Sequence, residues 1–168
     1  MAVIERLVAF DPGSVATGWC FFLSGEYREG GVFLGVGDDF GERRHSIRQQ
    51  VCETLLRLNT EEGDIDIVAV EEPMGRSMDT KGKLVTIAAD IESAASSLGI
   101  PYLEGRVRPH EWHAEVKRAA QLQADVGIKA LGLAIARAHT GRELMSQDES
   151  DAYWICKFML HNARRGDG

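Results

Sequence analysis

Nothing in this sequence of 168 residues approaches the roughly 20 consecutive apolar residues that a bilayer-spanning helix needs. The opening MAVIERLVAF carries Glu5 and Arg6 where a secretory leader would be apolar, so no signal peptide is expected and a cytoplasmic location is. Cysteine is scarce. Cys20, Cys52 and Cys156 are scattered with no C-x-x-C spacing, which excludes a thiolate zinc site and predicts small buried hydrophobes in a reducing compartment. Positive charge is also in short supply, with 19 Lys and Arg against 26 Asp and Glu for a net −7. That balance argues against binding nucleic acid by overall attraction. The deficit is uneven, however. Between Pro101 and Arg142 seven basic residues (Arg106, Arg108, Lys117, Arg118, Lys129, Arg137, Arg142) face four acids, a local balance of +3. What is present, 44% hydrophobic and 27% charged residues, is ordinary globular composition. The length suits one domain, expected over residues 1–162 with a frayed tail at 163–168.

The order of elements is read from periodicity. Leu7 to Phe10 is a buried strand stopped by Asp11-Pro12-Gly13. Gly18 to Leu23 is a second strand and Gly31 to Val36 a weaker third, the three forming an antiparallel meander. Ile47, Val51, Leu55 and Leu58 recur at helical spacing, and Ile65 to Val70 is a β-branched strand ending at Glu71-Glu72-Pro73. A second helix carries Leu84, Ile87, Ile91, Ala94 and Leu98 on one face and stops at Gly99. Pro101 to Val107 reads as a fifth strand. Residues 109–138 read as helical with a break near Gly127, and a last helix spans Gln147 to His161 with Ala152, Ile155, Cys156 and Met159 inward. The expected class is α/β: a mixed five-stranded sheet flanked by helices.

Four carboxylates stand out against this frame. Asp11 opens a turn after a buried strand, where Asp-Pro-Gly is also a common turn signal. The following G-S-V-A-T-G resembles the phosphate loop of actin-like ATPases, but the chain is short for that fold and lacks a second phosphate hairpin. Glu71 follows a buried strand, and alternation puts it on the opposite face from Glu72. Ser146 and Glu149 form an S-x-x-E capping box that accounts for acids in the first turn of the last helix. Asp151 lies deeper, on the face of Ala152 and Ile155. Asp148 and Asp151 project side by side on a helix, while Glu149 points about 100° away from Asp148. Two adjacent carboxylates raise one another's pKa unless a cation lies between them. His110 and His113 flank Trp112 without a second histidine pair, so packing or surface roles are expected for them and a core role for Trp112.

An Asp on the first strand, a Glu ending the fourth and a D-x-x-D on the last helix together resemble the RNase H-like nuclease superfamily. At this length D-P-G-S-V-A-T-G, A-V-E-E-P and Q-D-E-S-D-A resemble the RuvC family of Holliday junction resolvases, in the same element order along nearly the whole chain. The resemblance implies that Asp11, Glu71, Asp148 and Asp151 are catalytic metal ligands, with Asp11 bridging two Mg²⁺ ions for which Mn²⁺ substitutes. It implies structure-selective endonuclease activity on four-way junctions or other branched DNA, products with a 5′-phosphate and a 3′-hydroxyl, and a homodimer cutting paired strands. Branch-migration or replication proteins would be further partners, in a bacterial or phage-infected cell. Arg108 and Lys129 match the family's basic residues near the scissile phosphate. Where the family carries a junction-wedging aromatic after the fourth-strand Glu, this chain has Pro73-Met74-Gly75, with no Phe, Tyr or Trp between Phe40 and Tyr102. Met74 is then the candidate wedge, and Arg76, Lys81 and Lys83 of the loop from Gly75 to Lys83 are candidate backbone contacts. The rival reading is a catalytically silent RNase H-like module that binds branched DNA or scaffolds a partner.

Overall fold

The computed structural model describes residues 4–75, 77–121 and 127–165. Its elements run β1 (Arg6–Asp11), β2 (Ala16–Leu23), β3 (Glu26–Leu34), α1 (Phe40–Glu61), β4 (Ile67–Val70), α2 (Met78–Ser97), α3 (Pro109–Ala120), α4 (Ile128–Thr140) and α5 (Gln147–Arg165). The sheet order is β3-β2-β1-β4, with β4 parallel to β1 and the other pairs antiparallel. The expected meander is present, but β3 starts at Glu26, ahead of the expected Gly31. Ser24 and Gly25 both have positive φ (53° and 84°). Two successive left-handed residues make the tight hairpin turn that suits strand twist, so pairing resumes at once.

The fifth strand does not form. The segment from Pro101 to Val107 meets β4 only at two isolated parallel bridges, Val68 with Tyr102 and Glu71 with Val107. Pro101 has no N–H to donate, and Gly105 takes φ +95°, so the chain bends away from the sheet between the two bridges. Four backbone bonds still tie the segment to β4, among them Val107 N–H to Val70 O at 2.9 Å and Glu72 N–H to Val107 O at 2.7 Å. The sheet is therefore four-stranded. The helix break near Gly127 is where it was expected, whereas α5 continues past His161 to Arg165. Among the described residues no helix is long and apolar enough to cross a membrane.

Strand alternation sorts the core into two halves. Val8, Phe10, Trp19, Phe21, Val68 and Val70 pack against Ile47, Val51 and Leu55 of α1 and Ile87 and Ile91 of α2. Leu7, Ala9, Cys20, Phe22 and Ala69 point the other way, onto Trp112 and Val116 of α3, Ala136 of α4 and Ala152, Ile155 and Cys156 of α5. Cys20 and Cys156 are buried as expected, the Cys156 thiol donating to the Cys20 carbonyl at 3.7 Å, while Cys52 is half-buried. Period-two geometry puts Asp11 on the face of Leu7 and Ala9, and Glu71 on the face of Ala69. Both acids face α5. The pleat has already selected the neighbours of the site.

Candidate active site

The first turn of α5 comes down on the sheet at a place where side chains have been removed. Asp11 pairs with Gly18 across β1 and β2, and a Cβ on Gly18 would lie 2.0 Å from the Asp148 carbonyl oxygen. Only glycine allows that approach. It brings α5 within reach of the strand ends, so that Asp148 and Asp151 share a region with Asp11 and Glu71.

Each carboxylate is held differently. The Asp11 and Glu71 carboxyl groups lie close enough to shift each other's titration. Burial pushes Asp11 well above the usual carboxylate range, the charge and hydrogen bond of Glu71 add to this, and Asp151 adds less, while Lys129 opposes it. Burial likewise raises Glu71, although the bonds from Asp11 and Trp112 hold it down. The Trp112 indole N–H donates to Glu71 Oε1 at 2.6 Å. Asp151 is 1% exposed and accepts from both sides: Lys129 Nζ on Oδ2 at 2.5 Å and Gln147 Nε2 on Oδ1 at 2.7 Å. Asp148 is half-buried and raised first by burial and then by the Asp151 charge. Among the described residues no side chain hydrogen-bonds to it. Lys129 sits over the Trp112 ring at 5.8 Å, and the surrounding acids raise its pKa against the effect of burial.

The other expected residues are distributed around this centre. Arg108 caps the start of α3, is 64% exposed at its side chain and pairs with Glu72 at 3.4 Å. Glu72 has turned away from the acid cluster, as alternation required. Met74 is 70% exposed in the segment after β4, and Gly75 lets that segment pass against α2, where a Cβ would lie 2.4 Å from the Lys81 nitrogen. Arg76 lies outside the described residues. Lys81 and Lys83 are not on a loop: α2 begins at Met78 because the Ser77 hydroxyl accepts from the Thr80 N–H at 3.2 Å and Asp79 favours the first turn. Lys83 is engaged with Asp79 at 2.6 Å, leaving Lys81 exposed. His110 is exposed and His113 packs edge-on to Trp112, consistent with packing and surface roles.

Three side chains were not legible as parts of the site. Trp112 reads as core, and is buried, but its indole nitrogen serves Glu71. Gln147 belongs to the quoted Q-D-E-S-D-A motif without its bond to Asp151 being evident. Glu149 departs from the capping box. Its backbone N–H does reach Ser146 Oγ at 3.1 Å, yet its carboxylate turns inward to Tyr27 and Arg142.

The donor set suits a hard divalent cation: four carboxylates, all oxygen, with one lysine offsetting their charge. Among the described residues, no three His, Cys, Asp or Glu side chains surround a common point at ligating geometry. The Lys129 ammonium on Asp151 is the positive charge seated among these acids. The chemistry of the residues fits Mg²⁺ or Mn²⁺.

No protein-family model matches the chain, and no curated protein matches it in sequence. Solved structures do. The chain aligns with Thermus thermophilus RuvC in complex with a Holliday junction substrate at 22% identity and a TM-score of 0.73, covering 96% of each chain. A second Thermus thermophilus RuvC structure aligns at 23% identity and a TM-score of 0.72, covering 96% of this chain and 97% of that one. The fold is RuvC-like.

Proposed function

We propose that this chain is a divalent-metal-dependent endonuclease that cuts four-way junctions or other branched DNA, working as a homodimer on paired strands. The observation that carries this reading is the gathering of Asp11, Glu71, Asp148 and Asp151, from three separate segments, on one face of a RuvC-like sheet with too little positive charge to balance them. Half-buried and buried carboxylates that share a single lysine are costly to hold together, and a divalent cation offsets that cost.

Asp11 and Glu71 from the strand ends, and Asp148 and Asp151 from α5, would hold two Mg²⁺ or Mn²⁺ ions. When bound, such a pair supplies activation of the attacking water and neutralisation of the departing oxygen. The protein's own groups do the rest. Trp112 fixes the Glu71 carboxylate, and Gln147 fixes Asp151 from the side opposite Lys129. Lys129, half-exposed beside Asp151, would take a phosphate oxygen next to the cut. Arg108, exposed at the rim, takes a neighbouring phosphate and so sets the register of the backbone. Met74 is the apolar wedge at the branch, and Lys81 an outer backbone contact. The Thermus thermophilus neighbour is bound to a Holliday junction, which supports branched DNA as the substrate class. Products carry a 5′-phosphate and a 3′-hydroxyl.

A catalytically silent module that binds branched DNA is the second reading. It is favoured by the lysine already seated on Asp151 and by the lack of a closed three-ligand centre among the described residues. Cleavage of labelled four-way junction, flap and linear duplex in Mg²⁺ separates the two. The nuclease cuts the junction in symmetric positions and spares the duplex, and Asp11→Asn abolishes the cut. Tight junction binding with no strand cut in Mg²⁺ or Mn²⁺ establishes the silent module, and equal cutting of linear duplex removes the structure selectivity.

A further inference from the structure

Glu149 is a carboxylate with 3% of its side chain exposed, lying next to two candidate metal ligands and bonded to neither. Its Oε1 accepts from the Tyr27 hydroxyl at 2.9 Å and its Oε2 from Arg142 Nη2 at 3.2 Å. The three residues come from α5, from β3 and from the connection between α4 and α5, so the cluster ties the first turn of α5 to the β3 edge of the sheet. The sequence offers Glu149 a cheaper place, at the cap with Ser146, and the side chain does not take it. Burial and the Glu149 charge push the Tyr27 phenol up, so it stays protonated and donates.

The sheet is also shaped for this contact. Gly18 on β2 lies under Asp148, and Gly30 on β3 lies under Glu149: a Cβ there would be 3.0 Å from Glu149 Oε1 and 2.7 Å from the Trp19 carbonyl. Two glycines on adjacent strands let one helical turn settle at a single depth. Ala152, Ile155 and Cys156 anchor the body of α5 in the core, and the rotation of its first turn is left to the contacts made there. Glu149 lies about 100° around the axis from Asp148, so fixing Glu149 on the Tyr27 side fixes the angle at which Asp148 and Asp151 face Asp11.

We infer that Tyr27 and Glu149 are positioning residues, whose bond sets the rotation of the first turn of α5 and with it the approach of Asp148 and Asp151 to the metal ions. This rests on the metal-nuclease reading above. It gives a role to a tyrosine in a hairpin remote in sequence from every acid of the site.

The test measures Mn²⁺ binding to the intact protein from the paramagnetic resonance of the free ion, alongside junction affinity in Ca²⁺ and thermal melting, for wild type, Tyr27→Phe and Glu149→Gln. Tyr27→Phe removes one oxygen and is expected to weaken Mn²⁺ binding roughly tenfold, at the lower end of losses on removing a residue that supports a metal ligand. Junction affinity is expected to stay at the wild-type value. Glu149→Gln keeps an amide oxygen that accepts from Tyr27 but turns its NH₂ toward Arg142, so Arg142→Ala is measured beside it, and both are expected to lose less than Tyr27→Phe. Wild-type Mn²⁺ binding in Tyr27→Phe overturns the inference, whatever its melting temperature. A loss in Arg142→Ala as large as in Tyr27→Phe also overturns it, because Glu149 would then act through its pairing with Arg142. A wild-type protein that binds no Mn²⁺ and cuts nothing removes the nuclease reading itself, an outcome distinct from the other two.

Discussion

Asp90 and Asp151 are both buried aspartates on helices, one against each face of the sheet, and they are compensated in different ways. Asp90 on α2 receives a forked guanidinium: Arg44 Nε on Oδ2 at 2.6 Å and Nη2 on Oδ1 at 2.9 Å. Glu92, on the same helix, is matched by Arg106 at 2.7 and 2.9 Å. Each acid there has its own base, and the pairs close on themselves. On the α5 face four carboxyl groups share one lysine, one glutamine and one indole N–H. Acid count does not separate the two regions, since both are rich in carboxylates. The ratio of carboxylates to donors does. A cluster short of partners stores a demand for cations, whereas a matched pair has none.

Exchanging the perturbations between the faces gives the largest contrast. Asp151→Asn is expected to lower junction cleavage by roughly a hundredfold to a thousandfold or more, the range for losing one preorganised electrostatic group, with the melting temperature held or raised. Arg44→Ala is expected to do the reverse. It strands a nearly buried carboxylate at a cost of about 1–3 kcal/mol, or roughly 2–4 °C in Tm per kcal/mol at this chain length, with cleavage unchanged below the new transition. If both substitutions moved activity and stability together, the division between the faces would fail.

A smaller effect follows from the raised carboxyl groups. Asp11, Glu71 and Asp148 are all raised by burial. A carboxyl group whose folded pKa exceeds its unfolded value binds more protons when folded, so its stabilisation is complete below the ordinary carboxylate range and is lost as pH rises through the folded value. The metal-free protein should therefore melt lower at about pH 8 than at about pH 5, above the ordinary carboxylate range of roughly 4. Asp11→Asn should flatten that slope, as read by calorimetry in chelator. A slope unchanged in the variant would mean that Asp11 is not the strained member.

The smallest effect belongs to the rim. Arg108 pairs with Glu72 at 3.4 Å while well exposed, and such a pair is worth little. Arg108→Ala should leave stability and Mn²⁺ binding intact and reduce the salt slope of junction binding by about 1. An unchanged slope would remove Arg108 from the phosphate contacts.

Much of this geometry was readable in the sequence because it follows from two periods. Strand alternation put Asp11 with Leu7 and Ala9 and separated Glu71 from Glu72, and helical spacing put Asp148 beside Asp151 on the face of Ala152. Lys129, read as a basic residue on the helix before the acidic pair, does lie against Asp151. What escaped depends on contacts that no local pattern encodes. Glu149 looks like a cap until Tyr27, far away in sequence, offers its hydroxyl. Trp112 looks like core because a large indole belongs there, and its one polar atom carries no periodic signal. The fifth strand failed for a local reason that was visible, Pro101 and Gly105, but was outweighed by the apolar residues around them. Lys81 and Lys83 moved from loop to helix because Ser77 is a better cap than the glycines nearby are breakers.

The central claim is that the acids of the α5 face form a divalent-metal site. Its most direct measurement counts the Mn²⁺ ions bound by the wild-type protein and by Asp11→Asn at about pH 8, where the ordinary carboxylate is ionised, in the presence and absence of a four-way junction. The account predicts up to two ions per chain for the wild type, strengthened by the junction, and loss of both in Asp11→Asn with junction binding retained. Equal Mn²⁺ binding by the two proteins, or none by either with the junction bound, would contradict it.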